Sequence, residues 1–577
     1  MASTRPRTGQ KRRGAGVLLA QLQRLLAADG PDARNRKCAL LAALLHARFA
    51  RARDLTRLQR SVCFLMAFPD DARVLRATLA LAAVFHERVR RLPRAERERL
   101  DDSGMAATVT RHVYAASAVR WLIARFAAHV EIDWAAFTDD ALQRVVLPLL
   151  HPLESDTVDL TPRTARAWLE AARSDRATRA LAWLFAQAPQ DRVARARFDE
   201  SFDAAEVQLA WEIADTRAAI TRNRVRMKPV FRPDGMRRAA VDARGAILPP
   251  VATLQRVTRA HATRLLDVWR AALWSRTRTV LHIERPNHDE CYLADFGGGL
   301  QMAAIGIEPP ARGVLEASFG YLLLANGMPI GYGGFTPVFA QVNTGTNVFP
   351  EYRGSEAAFA FQQALRTMHT LTGCECFLIN PYQFGAGNDE ALQSGAYWFY
   401  FRLGFRSADD VARRLAQREF DRMREDRRYR VPLPTLRKLA ASDMHLDLTD
   451  NAAAKYFDER WLAALAQGIT PALAGTGVPN REAAQRALAQ RVAGLLGADC
   501  MRWPQREQRG FALFAPLLAQ IETLERWPAA DKDALVGLCR ARWAAEERDY
   551  VNRLRVHDRL REGLAQAARR GERTTKH

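Results

Sequence analysis

The chain has 577 residues, 48% of them hydrophobic, and its formal net charge at pH 7 is +22. The length predicts about three domains, and the composition is typical of a globular protein with sizeable cores. No stretch approaches the roughly 18 apolar residues that a bilayer span requires, which excludes a transmembrane helix and a membrane partner.

The positive charge comes almost wholly from arginine, since only seven of the 86 basic residues are lysine. Most arginines lie beside Asp or Glu on predicted helices, as in Arg94-Ala-Glu-Arg-Glu-Arg-Leu-Asp-Asp. A solvated, salt-bridged surface therefore explains the charge. Binding to an anionic partner such as nucleic acid, or to an acidic cofactor, is the alternative interpretation.

The seven cysteines are odd in number and scattered along the chain. This pattern predicts reduced thiols and a cytoplasmic location, and no secretory signal precedes the first helix. His282, His288 and Cys291 form a loose cluster whose spacing matches no standard zinc motif, so no metal site is predicted.

Residues 1–16 are basic and polar, which predicts a disordered tail. Residues 17–225 are predicted to form an all-α domain, with one helix from Thr108 to His129 and another that opens at Thr161-Pro162. The region lacks a fixed repeat of about 34 to 45 residues. It is therefore predicted to be an irregular helical array, a type of surface that binds protein partners.

Residues 226–299 are predicted to be a linker and the leading part of the next domain. Met227-Lys-Pro-Val-Phe-Arg-Pro-Asp-Gly is rich in turn residues, and Thr253 to Arg278 has the apolar spacing of a helix. Leu300-Gln-Met-Ala-Ala-Ile-Gly-Ile predicts the edge strand of a sheet.

Residues 300–406 alternate between strands and helices. Phe319-Gly-Tyr-Leu-Leu-Leu-Ala-Asn-Gly and the segment from Met328 predict a hairpin with an Asn-Gly turn, and a third strand runs from Thr344 to Phe349. Ser355 is predicted to cap a helix that reaches about Leu371 and ends at Gly373. A strand over 374–380 and an aromatic helix over 391–403 follow.

A strand, a helix and a second strand in one sheet imply a right-handed crossover. Ligands of such sheets bind at the carboxyl ends of strands, and the free amides at the start of the helix attract an anion. The pattern thus indicates a phosphate-bearing ligand. A plain α+β domain without a ligand is the alternative.

Two segments of this region resemble motifs of the GNAT superfamily of acyl-CoA-dependent N-acyltransferases. The first is Val348-Phe-Pro-Glu-Tyr-Arg-Gly before the helix, and the second is Ala396-Tyr-Trp-Phe-Tyr-Phe-Arg-Leu-Gly-Phe405. The resemblance covers roughly residues 290–406, a fifth of the chain. It implies an α+β fold in which a GNAT-like mixed sheet lies between large all-α N-terminal and C-terminal regions.

The resemblance also implies a cofactor, acetyl-CoA or another acyl-CoA, and an amine acceptor. The residues that would face the cofactor's pyrophosphate are Arg353, Gly354, Ser355, Ala357 and Ala358. Backbone groups near Val348 and Phe349 would hold the pantetheine arm and polarise the thioester carbonyl. Tyr400 stands where the family has the acid that reprotonates the leaving thiolate, a role that suits a phenol with a pKa near 10. Asn388 lies farther from this tyrosine than the family's asparagine does.

Tyr400 also has a purely structural interpretation, as a buried tyrosine that donates a hydrogen bond to a backbone carbonyl. The leading region carries the family's acceptor site. Its polar side chains and two nearby glutamates are the candidate acceptor-side groups, namely His282, Glu284, His288, Asp289, Asp295, Glu316 and Glu351.

Glu356 departs from the family pattern, which has a second glycine at this position. Two like charges about 4 Å apart repel by roughly 4 kcal/mol at an effective dielectric near 20, so the carboxylate would oppose a pyrophosphate. Alternatively, it stabilises the helix dipole. An open cleft between residues 344–349 and 374–380 would favour an active acyltransferase, whereas Glu356 or an aromatic ring in the pyrophosphate position would favour an inactive GNAT-like domain in a scaffold protein.

Residues 407–566 are predicted to be an all-α C-terminal region, and 567–577 a second disordered tail. The region has a charged helix over 408–430 and later helices over 481–497, 506–525 and 529–568. The last of these helices is basic on several faces, so a nucleic-acid-associated protein is the third functional hypothesis, which charge density on one face would favour.

Overall fold

The structure is a computed structural model that describes residues 14–136, 139–160, 163–173, 178–232, 234–450 and 455–574. Helices hold 55% of the residues and strands hold 13%, which confirms the prediction of an α+β protein. One large hydrophobic core extends from Leu19 near the start of the chain to Ala568 in the last helix. The regions that the sequence distinguished therefore pack on one another.

The N-terminal part contains both helices and short strands. Its helices are α1 (Ala15–Leu25), α2 (Pro31–His46), α3 (Ala52–Ala67), α4 (Ala72–Ala83), α5 (Phe85–Arg90), α6 (Arg94–Glu98), α7 (Ala116–Phe126), α8 (Asp139–Val146), α9 (Pro152–Asp156), α10 (Ala165–Ala172), α11 (Ala180–Ala186) and α12 (Arg192–Ala204). Its strands are β1 (Val109–Val113), β2 (Val130–Ile132) and β3 (Gln208–Glu212), which pair antiparallel in the order β1-β3-β2. The prediction that residues 17–225 are all helical is wrong at this small sheet.

Local sequence patterns do not predict the small sheet, because its central strand, β3, comes from a distant part of the chain. Thr110 in β1 lies opposite Trp211 in β3, and Val130 in β2 lies opposite the same tryptophan. The segment predicted as one helix, 108–129, instead holds β1 and α7. The predicted start at Thr161-Pro162 lies outside the described residues, and α10 begins after Thr164, whose hydroxyl accepts the Ala167 N–H.

Among the described residues, a nine-stranded sheet forms the centre of the molecule. Its strands are β4 (Gln255–Arg256), β5 (Pro286–Asp295), β6 (Leu300–Ile307), β7 (Phe319–Ala325), β8 (Met328–Val338), β9 (Gln341–Val348), β10 (Cys376–Ile379), β11 (Arg406–Ser407) and β12 (Met444–Asp447). Their order is β11-β12-β10-β9-β8-β7-β6-β5-β4, and every pair is antiparallel except β9 with β10.

The position of two strands corrects the predictions. β6 was predicted at the edge, but it lies between β5 and β7. β12 belongs to the region predicted to be all-α over 407–566, yet it pairs with β10 and β11 and extends the sheet. The predicted all-α C-terminal region is therefore wrong at this strand.

The helices around the large sheet are α13 (Ala243–Ile247), α14 (Arg259–Trp274), α15 (Leu281–Glu284), α16 (Ala357–Thr372), α17 (Asp389–Ser394) and α18 (Ala396–Arg402). The predicted aromatic helix over 391–403 is divided into α17 and α18. Gly395 adopts a φ of 69° between them, a left-handed conformation that interrupts a helix.

The hairpin of β7 and β8 confirms the prediction from the Asn-Gly pair. Asn326 and Gly327 have φ values of 47° and 76°, and a two-residue turn of type I′ requires a positive φ at both positions. A Cβ at Gly327 would also collide with the Val225 carbonyl oxygen. This turn is specified by the residues within it, so sequence alone locates it.

Helix α16 connects the two parallel strands β9 and β10. It ends at Gly373 with a φ of 64°, as predicted. Its start differs from the prediction. The helix begins at Ala357, and Ser355 does not cap it, because the Ser355 hydroxyl donates to the Tyr352 carbonyl oxygen at 2.6 Å.

The C-terminal helices are α19 (Asp410–Glu425), α20 (Leu433–Leu439), α21 (Arg460–Gln467), α22 (Ile469–Ala474), α23 (Arg481–Leu496), α24 (Gln505–Leu518), α25 (Ala529–Ala541), α26 (Glu547–Arg555) and α27 (Asp558–Thr574). The predicted helix over 529–568 is thus three helices. Because α27 continues to Thr574, the predicted disordered tail is wrong over 567–574. The other predicted tail is helical from Ala15, while residues 1–13 and 575–577 lie outside the described residues.

A buried polar cluster joins the C-terminal helices to the sheet. Both carboxylate oxygens of Glu290 in β5 accept backbone N–H groups at the start of α26, from Glu547 and Arg548, each at 2.8 Å. Arg312 is buried beside Glu290 and Glu547. Glu290 therefore caps a helix that is distant in sequence, and the C-terminal region is held against β5. No helix in the described part of the chain is long and apolar enough to cross a membrane.

Candidate functional site

A cavity of about 1360 Å³ opens where β9 and β10 separate. The two strands are in register from Gln341 and Cys376 to Thr344 and Ile379, where β10 ends. β9 continues along β8 to Val348. Beyond Thr344, the edge of β9 that faces away from β8 has no neighbouring strand, and the cavity, called the cleft below, occupies this gap.

The free edge of β9 presents backbone N–H groups to the cleft. Phe349 donates its N–H to the Ile330 carbonyl oxygen of β8 at 3.0 Å. Since alternate residues of an antiparallel strand direct their N–H groups to the same side, Thr346 and Val348 direct theirs away from β8. The predicted backbone role is therefore wrong for Phe349, whose donor is used within the sheet, and Thr346 is a donor that the sequence did not indicate.

The cleft reaches both faces of the sheet. All residues from Asn343 to Val348 line it, and consecutive residues of a strand point to opposite faces. Thr346 and Tyr321 share one face through their common partner Gly333, whereas Asn347 and Tyr332 share the other face. Two ligands can thus approach the free edge of β9 from different sides.

Tyr400 lines the cleft and is almost fully buried. Its hydroxyl oxygen accepts the Thr346 N–H at 3.5 Å. Because an amide N–H can only donate, this contact leaves the phenolic proton available to a second partner. The contact also differs from the structural interpretation, in which Tyr400 donates to a carbonyl. The aromatic rings around it are Phe361, Phe384, Phe399 and Phe405.

Burial in this aromatic environment raises the pKa of Tyr400 to about 12, although the hydrogen bond from the Thr346 N–H opposes the rise. The cause is desolvation, which disfavours the phenolate. Tyr400 is therefore a protonated hydroxyl across the neutral pH range and can act as a hydrogen-bond donor or acid.

The start of α16 forms the anion-attracting end of the cleft. Arg353, Gly354, Ala357 and Ala358 all line the cleft, and the N-terminal residue Glu356 makes no side-chain cap. The first backbone N–H groups of a helix have no intrahelical partner, and the helix dipole favours an anion there. Three arginines and one glutamate line the cleft, a net charge of +2, namely Arg278, Arg353, Arg402 and Glu390.

Glu356 is turned away from the cleft. Its side chain is fully buried and forms ion pairs with Arg232 and with Arg237, the latter at 2.9 Å. The Arg237 backbone N–H also donates to it at 3.0 Å. Burial lowers the pKa of Arg232 to about 9, which still leaves this guanidinium charged at neutral pH. Two cations thus balance the carboxylate, and the repulsion expected from the sequence does not arise.

Two other predicted residues have structural contacts of their own. Ser355 does not line the cleft and is bonded to Tyr352, as described above. Asn388 lines the cleft, but its amide oxygen accepts the Ala391 N–H at 3.1 Å and caps α17. The cleft therefore brings together Val348, Arg353, Gly354, Ala357, Ala358, Asn388 and Tyr400, and it leaves out Phe349 and Ser355.

His282 is the one candidate acceptor-side residue that lines the cleft. It stands over Gly320, where a Cβ would meet its ring, and Gly320, Gly334 and Gly345 lie in register on three adjacent strands. Gly320 and Gly334 leave room for the imidazole, whereas Gly345 leaves room for the Gln383 side chain. The His282 Nε2 lies 2.8 Å from the Ser318 hydroxyl. Burial lowers the pKa of His282 to about 4, so the ring is neutral at pH 7.

The remaining acceptor-side candidates lie elsewhere. Glu351 is buried against Gln59 and Arg276, at 3.1 and 3.4 Å. Glu316 lines a separate apolar cavity of about 480 Å³. Glu284, His288, Asp289 and Asp295 do not line the cleft. Within the described ranges, no group of three His, Cys, Asp or Glu side chains is arranged to hold a metal ion, and all seven cysteines are free.

Comparison of the chain with protein-family models, with curated proteins and with solved structures gave no match.

Glu390 competes with any anion for two arginines of the cleft, Arg353 and Arg278. One carboxylate oxygen lies 2.8 Å from Arg353, and the other lies 3.9 Å from Arg278. We expect Glu390→Gln to tighten the binding of inorganic pyrophosphate by about three-fold, because an exposed ion pair is worth at most about 1 kcal/mol. Calorimetric titration measures the change. Glu482→Gln removes a similar exposed partner of Arg486 and should leave the affinity unchanged, whereas equal affinity in Glu390→Gln and the unmodified protein would contradict the competition.

Proposed function

We propose that the chain is an acyl-CoA-dependent N-acyltransferase whose active site is the cleft between β9 and β10. The observation that carries the proposal is the unpaired edge of β9, with Tyr400 against it and the start of α16 beside it. Transfer of an acyl group requires two substrates to meet at one carbonyl carbon. A cleft that reaches both faces of a sheet supports such a meeting. The amine acceptor is part of the proposal.

The residues of the cleft fit an acyl-CoA donor, which would supply an activated acyl group as a thioester. The first N–H groups of α16 and the Arg353 guanidinium would bind the pyrophosphate. The free edge of β9 offers N–H groups to the amides of a pantetheine arm, in the manner of strand addition. The ion pairs of Glu356 remove the main objection to a polyanion at this position.

The chemistry of the cleft residues matches acyl transfer. The Val348 N–H can stabilise negative charge on a carbonyl oxygen, which is the role of an oxyanion hole, while the Thr346 N–H holds the Tyr400 hydroxyl. Tyr400 holds a proton that a leaving thiolate needs, since burial keeps its phenol un-ionised at neutral pH. His282 is too weak a base, with a pKa of about 4, to hold the proton of the amine, so we assign it the role of orienting the acceptor.

The alternative of an inactive GNAT-like domain required a blocked pyrophosphate position. Glu356 lies in ion pairs outside the cleft, and Arg353, Gly354, Ala357 and Ala358 border open volume. These two observations favour the enzyme over the scaffold. A cytoplasmic location is part of the proposal and is consistent with the seven free thiols.

Titration calorimetry with acetyl-CoA and with free coenzyme A tests the proposal directly. We expect micromolar binding to the unmodified protein and a loss of about 10- to 100-fold in Arg353→Glu, because a charge-assisted phosphate contact contributes about 1.5–3 kcal/mol. Arg413→Glu reverses a half-exposed charge on α19 that does not line the cleft, and it should bind normally. Absence of heat at millimolar ligand, or equal binding by Arg353→Glu, would refute the assignment of the donor site.

A further inference from the structure

A separate cavity of about 310 Å³ lies between α12, α24 and the turn at Pro309–Ala311. The walls of this cavity include Arg192, Pro309, Pro310, Arg506, Arg509 and Trp543. It shares no lining residue with the cleft. It brings together the N-terminal helices, the sheet and the C-terminal helices, so a ligand bound there would touch all three parts.

Three arginines line this cavity. In the part of the chain that the structure describes, Arg192, Arg506 and Arg509 have no carboxylate within ion-pair distance. The acidic residues beside them in sequence are engaged elsewhere. Glu507 binds Arg540 at 2.6 Å, and Asp191 accepts the N–H groups of Val193 and Ala194. Three uncompensated positive charges around one cavity favour an anion.

The backbone adds to the positive potential. α24 begins at Gln505, has 14 residues and has no side-chain cap, and Arg506 is its second residue. α12 also begins beside the cavity, at Arg192, but the Asp191 carboxylate caps its first N–H groups, so the free N–H groups come from α24. Helix starts carry partial positive charge and unsatisfied N–H groups, which suit phosphate oxygens.

Trp543 gives the cavity an aromatic wall. A Cβ at Gly510 would collide with the indole, so the ring packs directly on the backbone of α24 and is held in place. It is partly exposed to the cavity. Indole surfaces stack on nucleobases, and arginine guanidinium groups bind phosphate and stack as well.

We infer that this cavity binds one nucleotide, with its phosphate at Arg192, Arg506 and Arg509 and its base against Trp543. The volume is at the small end of ligand sites, which fits one nucleotide unit. The same chemistry is presented by a free mononucleotide and by an unpaired nucleotide of an RNA strand. The inference does not depend on acyl transfer in the cleft.

The test uses the full chain with Arg353→Glu, so that any binding of nucleotides at the cleft is weakened. Calorimetric titrations compare AMP, ribose 5-phosphate and inorganic phosphate, and then repeat AMP in proteins that also carry Arg506→Glu or Arg509→Glu. We expect AMP to bind about 5- to 100-fold more tightly than ribose 5-phosphate, since stacking adds affinity. Each arginine substitution should weaken AMP binding by at least about ten-fold. Arg526→Glu, an exposed charge reversal outside the cavity, is the matched control.

The result that would overturn the inference is equal binding of AMP and ribose 5-phosphate, or equal weakening by Arg526→Glu and Arg506→Glu. A twelve-nucleotide oligo(A) RNA distinguishes the two sources. Tighter binding of RNA than of AMP, with a salt dependence that falls by about one unit in Arg506→Glu, assigns the site to an RNA strand. Equal affinities assign it to a free nucleotide.

Discussion

Tyr400→Phe is expected to lower kcat for acyl transfer by about 100- to 10,000-fold, the usual contribution of a positioned acid. The substitution removes only the hydroxyl, so the ring should keep its contacts with Phe361, Phe399 and Phe405. The affinity for acetyl-CoA, measured by calorimetry, should not change, because Arg353 and the start of α16 are intact. A fall in kcat with constant donor affinity would assign Tyr400 to the chemical step.

Tyr397→Phe is the matched control for this experiment. Tyr397 lies one turn earlier on α18, is 1% exposed, does not line the cleft, and has a buried hydroxyl without a hydrogen-bond partner in the described structure. It should retain full activity. The assay measures the release of the coenzyme A thiol from acetyl-CoA in the presence of a panel of amines.

The pH profile of the unmodified enzyme adds a second criterion. Burial raises the pKa of Tyr400 to about 12, so ionisation of this residue should not reduce kcat below about pH 10. Similar losses in Tyr397→Phe and Tyr400→Phe, or a Tyr400→Phe enzyme with normal kcat, would contradict the catalytic role.

Glu356→Gly is expected to destabilise the protein by about 3–5 kcal/mol, the typical cost of removing one partner from a buried ion pair. The substitution would leave Arg232, which is 6% exposed, and Arg237 without their carboxylate. The motif alone predicts a different effect, better phosphate access, because glycine is the residue that the GNAT family has at this position. The loss of stability is the effect that follows from the buried ion pairs.

Urea unfolding followed by circular dichroism measures the loss in the free energy of unfolding, and hydrogen exchange at the start of α16 localises it. Glu390→Gln is the control, since this glutamate also pairs with arginine but is 62% exposed. An exposed pair should contribute less than about 1 kcal/mol. Equal stability of Glu356→Gly and the unmodified protein would show that the buried pairs contribute little.

The elements that sequence predicted correctly are those with a local cause. The hairpin at Asn326-Gly327 and the end of α16 at Gly373 each depend on a residue that tolerates a positive φ. By contrast, the small sheet and β12 depend on pairing with strands far away in sequence. Thr110 pairs with Trp211, and Met444 pairs with Ile379. A local sequence pattern does not predict these partners.

In the candidate site, too, some features have a local cause in the sequence and others depend on distant strands. Residues adjacent in sequence, such as Arg353, Gly354 and Ala357, line the cleft together because they form one helix start. The donor role of Thr346 was missed, because it depends on which side of β9 pairs with β8 and where β10 ends. Phe349 was wrongly given a donor role, because the sequence does not show which side of β9 pairs with β8. Its N–H is used within the sheet.

The sequence by itself determined the alternation of strands and helices over 300–406, the α+β class, and the group of residues at the start of α16. Only the tertiary structure determined the role of Glu356, which is to form buried ion pairs with two arginines. Its partners Arg232 and Arg237 lie more than a hundred residues earlier, and only folding brings their charges to the carboxylate. Turn and helix-end preferences act between neighbouring residues and can be read from the chain, whereas a buried charge depends on groups that any part of the chain can supply.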